Sequence, residues 1–121
     1  LGDGGPVALP IGRMPVEQAL ELAASVGARV SLAHPHTLGA PIAADLMRRN
    51  RERGLGAIEA GYGPYGARER SEWFEMAASF GAVVTAGSDF HGANQAGGPA
   101  APGIELEEPH ASRLCEWLGL A

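Results

Sequence analysis

Three of the four histidines in the chain stand just beyond short apolar runs. His34 and His36 follow Arg29 to Ala33 (RVSLA) in Ala33-His34-Pro35-His36. His91 closes the string Gly87-Ser88-Asp89-Phe90-His91-Gly92, which follows Val83 to Ala86 (VVTA). A third run, Ala57 to Ala60 (AIEA), carries Glu59 and exits through Gly61-Tyr62-Gly63-Pro64-Tyr65. Asp89 and His91 are two apart, so an extended turn would project both side chains from one side. With His34 they form a mixed oxygen and nitrogen donor set suited to manganese, iron or zinc. A cation held there would lower the pKa of a bound water and neutralise charge on a phosphoryl oxygen. Three such ligands hold one metal with an open position; alone they do not make a two- or three-metal centre. Gly87 and Gly92 would let backbone approach a ligand closely.

The neighbouring side chains admit two readings each. His36 either faces a phosphate at the rim of the site or is a plain loop histidine. Glu59 sits inside a strand, where an unpaired charge is costly, so it either orients a ligand or pairs with an arginine. Tyr62 and Tyr65 either line a substrate pocket or pack a Gly-Pro turn. Ser88 joins His36, Glu59 and Tyr62 as a candidate for substrate contact or for orienting ligands. Taken singly, Asp89 would be a turn-capping aspartate and His91 an exposed histidine.

The elements that must position these residues are legible in the apolar pattern. Pro15 to Val26 places Val16, Ala19, Leu20 and Ala23 on one helical face behind a proline in the first turn. Pro41 to Arg53 carries a narrower stripe of Ile42, Leu46 and Met47 beside four arginines, which read as a solvated face near the helix C-terminus. Ala67 to Phe80 has the strongest stripe (Trp73, Phe74, Ala77, Phe80), and Pro109 to Leu118 adds Leu114, Trp117 and Leu118 before Gly119. Gly27, Gly54 and Gly81 end the first three helices at equal intervals. Each precedes one of the apolar runs. Near-continuous apolar strands alternating with helices indicate a parallel sheet covered on both faces. In such α/β architectures reactive groups collect at the C-terminal ends of the strands, which is where the histidines fall. Val7 to Leu9 is a further candidate strand, and Ala93 to Pro102 reads as a mobile glycine- and proline-rich loop. Cys115 is expected as a small buried hydrophobe, and His110 as a surface residue in a first helical turn.

Length and charge bound the rest. A chain of 121 residues with 45% hydrophobic content forms one domain of an ordinary globular kind. The net charge of −5 argues against a general nucleic-acid surface but not against a phosphorylated small molecule held by a metal. A single cysteine and the lack of a signal-peptide pattern or long apolar run lead to the expectation of a cytoplasmic protein without a membrane span. The chain opens on Leu1, and three or four parallel strands would leave an open sheet edge. A fragment of a longer polypeptide is therefore expected.

The strings SLAHPH, LGAIEAGYGPYG and VVTAGSDFHGANQ, with the tail PGIELEEP before a helix, resemble the C-terminal part of the PHP (polymerase and histidinol phosphatase) family of metal-dependent phosphoesterases. Stand-alone members give the nearest likeness, over essentially the whole of residues 1–121. The resemblance implies parallel β/α units forming part of a distorted TIM-like barrel with a trinuclear metal site, manganese first among the candidates. It implies that His34 matches the histidine ligand of an AHP motif, and Asp89 and His91 the terminal Asp-x-His ligands. The stand-alone members of that family hydrolyse phosphate monoesters of nucleotides or trim short RNA, and the resemblance implies the same here. The family's His-x-His opening motif and its further ligands are not present, since His34 is the first histidine. Leu1 to Pro10 resembles chain re-entering the barrel after an insertion. The expectation is a phosphoesterase of which this chain supplies part of the metal site. The alternatives are a truncated or degenerate module with a structural or regulatory role, and a fragment of an amidohydrolase-like C–N hydrolase. Such enzymes commonly place a lysine between metals, and the sequence has none.

Overall fold

The computed structural model describes residues 12–92 and 102–120. The proposed strand at Val7 to Leu9, the entry segment Leu1 to Pro10 and nearly all of the Ala93 to Pro102 loop lie outside the described residues. What remains is α/β: helix α1 (Val16–Ser25), strand β1 (Val30–Leu32), α2 (Ala40–Asn50), β2 (Leu55–Tyr62), α3 (Ala67–Ser79), β3 (Val83–Gly87) and α4 (His110–Leu118). The three strands form one parallel sheet in the order β1-β2-β3. A barrel is not visible among the described residues.

Two of the three glycine stops work as the sequence implied; α2 instead ends at Asn50, and Gly54 closes the turn that follows it. Gly27 and Gly81 take positive φ after α1 and α3. At each, the glycine N–H and the next N–H reach back to carbonyls of the last turn (Gly27 to Ala24 and Ala28 to Ala23; Gly81 to Ala78 and Ala82 to Ala77). These bonds satisfy carbonyls that the helix leaves open and turn the chain straight into the next strand. Strand β2 is the centre of the sheet, paired on both sides and buried along almost its whole length. It is longer than the apolar run Ala57 to Ala60 implied. Gly56 and Gly61, which look like punctuation in the sequence, are inside the strand. A Cβ at Gly56 would lie 3.1 Å from the Trp117 indole, and one at Gly61 would lie 2.6 Å from the Ala86 Cβ. Both glycines admit a neighbour; neither ends the strand.

The core gathers Leu20, Ala43, Met47, Leu55, Ile58, Ala60, Trp73, Ala77 and Val84, with Phe74, Phe80 and Leu106 packed at its margin. Two helical stripes are narrower than expected. In α2 the inward residues are Ala43 and Met47, while Ile42 is 55% exposed. In α1 only Leu20 is buried, and Val16 faces solvent. Cys115 is exposed, contrary to expectation, because α4 turns Leu114 and Trp117 inward instead. His110 is half-buried, its ring edge-on to Phe74 at 4.8 Å. Arg51 also departs from the solvated-face reading. Its guanidinium donates to the carbonyls of Phe80 (3.1 Å) and Gly81 (2.9 Å), and Arg113 donates to Gly81 as well. These arginines cap the negative end of α3. No helix among the described residues is long and apolar enough to cross a membrane.

Candidate functional site

A register shift in β2 decides which side chains meet at the sheet's C-terminal edge. Glu59 is aligned with Thr85, but Gly61 with Ala86 and Tyr62 with Gly87, so β2 holds one residue more than β3 across this step. In an unbroken strand Glu59 and Tyr62, three apart, would face opposite sides. The bulge turns them to the same side. It also brings the Gly87 Cα under the Glu59 carboxylate: a Cβ there would stand 2.8 Å from Glu59 Oε1. Gly87 therefore makes room for Glu59, rather than for the approach of backbone to a ligand.

Glu59 holds the exit of β1. Its Oε2 accepts the backbone N–H of His34 at 2.8 Å and lies 3.7 Å from His34 Nε2. Pairing with an arginine, the other expectation, is not found among the described residues. His34 itself takes a left-handed backbone conformation (φ 47°, ψ 49°) as it starts the short 3-10 turn Pro35–Thr37. A side chain bearing a Cβ pays roughly 1 to 2 kcal/mol for that region, so the charge-assisted bond that the His34 N–H donates to Glu59 offsets local strain.

Asp89 holds the exit of β3 in the same way. Its φ is 56°, and His34 and Asp89 are the two non-glycine residues with positive φ among the described residues. The left-handed turn replaces the extended one assumed from the Asp-x-His spacing. The two side chains still adjoin, with His91 Nδ1 3.5 Å from Asp89 Oδ1. Asp89 Oδ2 accepts the Tyr62 hydroxyl at 2.7 Å, and Oδ1 lies 3.7 Å from His34 Nε2. His91 donates Nδ1–H to the Asp89 carbonyl at 2.7 Å, which leaves Nε2 as its basic nitrogen. The His91 side chain is 64% exposed, against 23% for Asp89.

The cluster thus joins His34, Glu59, Tyr62 and Asp89 directly, with His91 at its rim. Two carboxylates face one imidazole, and neither is ion-paired with an arginine among the described residues, so the local field favours a cation. The donor set fits a divalent metal in kind, with carboxylate oxygen and imidazole nitrogen together. The donors stand slightly wide, since bonds of about 2.1 Å would bring neighbouring ligands closer. As placed, no group of three or more His, Cys, Asp or Glu among the described residues has the geometry to hold a metal ion.

Of the remaining candidates, His36 stacks on Tyr62 (centroids 5.1 Å apart) and its Nδ1 meets the Tyr65 hydroxyl at 2.8 Å. Tyr65 is buried and stacks on Trp73, so it anchors more than it lines. Ser88 is buried and accepts the Gly103 N–H at 3.1 Å, tying the segment that leads into α4 to the β3 exit rather than facing the cluster. One contact had no sequence signal at all: Ser31 and Thr85 share a hydroxyl bond at 2.7 Å, across the sheet from β1 to β3. Two cavities lie elsewhere. One of about 330 Å³ is at the opposite end of the sheet, walled by Arg29, Arg51, Arg53 and Trp117. The other, about 500 Å³, lies between α3 and residues 104–110. In the first, Arg51 serves the end of α3 and Arg29 lies over the Trp117 ring; neither includes His34, Glu59, Asp89 or His91.

Both tyrosines hold their protons tightly. The hydrogen bond to the Asp89 carboxylate, then burial and the charges of Asp89 and Glu59, push the Tyr62 phenol up to about 12. Burial does the same for Tyr65, also to about 12, against a smaller opposing effect of a backbone hydrogen bond from His36. A neutral form favoured by the fold contributes stability that is complete below the ordinary phenol value of 10.0 and is lost as pH rises towards 12. Absorbance at tyrosinate wavelengths should therefore stay flat through pH 10 and rise together with unfolding above it. Ionisation of either tyrosine near pH 10 in the folded chain would contradict this geometry.

Gly87→Ala gives a second expected result. The incoming methyl displaces the end of the Glu59 side chain, which is flexible, so global stability should fall by no more than the hydrogen bond that is broken. The His34 N–H loses its acceptor, a bond to a charged group worth about 1.5 kcal/mol or more. Amide exchange at His34 should quicken about tenfold, while exchange in the β2 core stays as it was. Unchanged exchange at His34 would mean that Glu59 does not hold this turn.

No protein-family model matches the chain, and no curated protein matches it significantly.

Proposed function

We propose that the chain is part of a metal-dependent phosphoesterase of the PHP kind, hydrolysing phosphate monoesters of nucleotides or short oligoribonucleotides. In this reading residues 1–121 are the C-terminal part of the domain, their parallel β/α units forming one side of a distorted TIM-like barrel. The observation that carries it is the pairing of His34 and Asp89. They follow the two strands that flank β2, each in a left-handed conformation, and their side chains come within 3.7 Å of each other. Backbone strain of this sort persists where surrounding structure fixes it and clusters at functional sites.

His34, Asp89 and His91 would hold a divalent cation, manganese first and zinc or iron next, as part of a larger ligand set. Such a cation supplies Lewis-acid polarisation of a phosphoryl oxygen when bound. The chain's own groups do the positioning. Glu59 fixes the His34 backbone. Tyr62 donates to one oxygen of Asp89, so the other is left to face His34. The Asp89 carbonyl sets the His91 tautomer. No general base is drawn from this segment.

The test is Mn2+-dependent release of inorganic phosphate from a nucleoside 3′,5′-bisphosphate by the complete polypeptide carrying these residues. His91→Ala is run beside it. Release that needs Mn2+ and falls in the variant supports the reading; equal release in both removes His91 from any essential part. A second reading is a degenerate module with a structural role, favoured by the wide spacing of the donors. Absence of phosphate release together with undiminished folding of the polypeptide would select it.

A further inference from the structure

His36 is not used by the cluster just described, yet it is the most firmly oriented histidine in the chain. Its ring lies between two aromatic partners, stacked on Tyr62 at 5.1 Å and edge-on to Tyr65 at 5.2 Å. Its Nδ1 is 2.8 Å from the hydroxyl of Tyr65, which is 6% exposed and packed against Tyr62 and Trp73. A phenol so placed has one proton to give. Nδ1 is the one hydrogen-bond partner of that hydroxyl among the described residues. The hydroxyl proton is then directed to Nδ1, which must be the unprotonated nitrogen of a neutral ring. The proton of the neutral imidazole sits on Nε2.

The consequence is a fixed neutral donor beside the strand-exit cluster. The His34 and His36 rings lie nearly parallel, 6.0 Å apart between centroids. A phosphate that accepts a hydrogen bond of about 2.9 Å from His36 on one oxygen has its other oxygens free for the His34–Asp89 side. We propose that Tyr65 locks His36 as the Nε2–H tautomer, and that this N–H donates to a non-bridging oxygen of a phosphate group bound at the cluster. His36 is thereby a substrate-binding residue and Tyr65 its positioning residue. The assignment deepens the phosphoesterase reading and rests on it for the identity of the ligand; the tautomer stands on geometry alone.

Long-range proton–nitrogen correlation spectra of the chain labelled with 15N-histidine test both parts. Zn2+ serves as a diamagnetic probe of the metal reading and inorganic phosphate as the probe of His36. The expected result is a proton-bearing Nε2 and an unprotonated Nδ1 at His36, shifting towards a tautomer mixture in Tyr65→Phe. Phosphate added to the Zn2+-loaded chain should move the His36 Nε2 resonance, and His36→Phe, which keeps a ring but has no N–H, should weaken phosphate binding about 2- to 12-fold. An Nδ1–H tautomer, or a tautomer unmoved by Tyr65→Phe, would overturn the lock. Phosphate that leaves His36 unmoved would overturn the donor role. Zn2+ that leaves His34 and His91 unmoved would instead sink the metal reading and with it the phosphate contact, while the Tyr65→Phe result would still decide the lock.

Discussion

Asp89→Ala should weaken divalent-cation binding by more than the roughly 10- to 100-fold that loss of an outer-sphere partner costs. One side chain does three things here. Its Oδ1 faces His34 and His91, its Oδ2 receives the Tyr62 hydroxyl, and its charge is one of two carboxylates opposite a single imidazole. Alanine removes all three. Asp89→Asn separates them, because the amide oxygen can still accept from Tyr62 while the charge is gone. The asparagine variant should therefore keep the fold of the β3 exit yet lose most of the affinity. A readout independent of metal accompanies this: without the carboxylate that pushes it up to about 12, the Tyr62 phenol should fall back towards 10.0. Titration calorimetry with Mn2+ and a tyrosine absorbance titration check the two effects. Affinity within twofold of the unaltered chain would remove Asp89 from the site.

Met47→Ala should cost about 2 to 5 kcal/mol of stability. The side chain is among the largest that are fully buried, on the inward face of α2, and its loss leaves a cavity that neighbours fill only in part. A domain this size has roughly 5 to 15 kcal/mol in hand, so the variant should unfold at much lower urea. Ile42→Ala in the same helix is the control. With Ile42 55% exposed, the change should stay within about 0.5 kcal/mol. The sequence alone would have ranked both as stripe residues, so the pair of measurements also tests the face that α2 turns inward.

That pair marks where legibility ends. The order of elements, the glycine stops and the position of each strand exit follow from local chemistry: apolar runs of strand length, helical periodicity and residues that tolerate a left-handed turn. His34, Asp89 and His91 were visible for the same reason, as polar residues at strand ends. The face of α2 was not, because Ile42 and Ala43 are adjacent and only the packing partner decides between them. The full length of β2 was hidden by Gly56 and Gly61, whose role is to admit Trp117 and Ala86. The bulge that puts Glu59 and Tyr62 on one side, and so gives Asp89 its hydroxyl partner, depends on the pairing of β2 with β3. No single-strand pattern encodes it.

The most direct measurement is paramagnetic broadening of the chain's amide resonances by substoichiometric Mn2+. Broadening centred on His34, Glu59, Asp89 and His91, and lost in Asp89→Asn, is the expected outcome. Broadening centred instead on the acidic stretch Glu105 to Glu108, or spread evenly without a centre, would contradict a cation site at the strand exits.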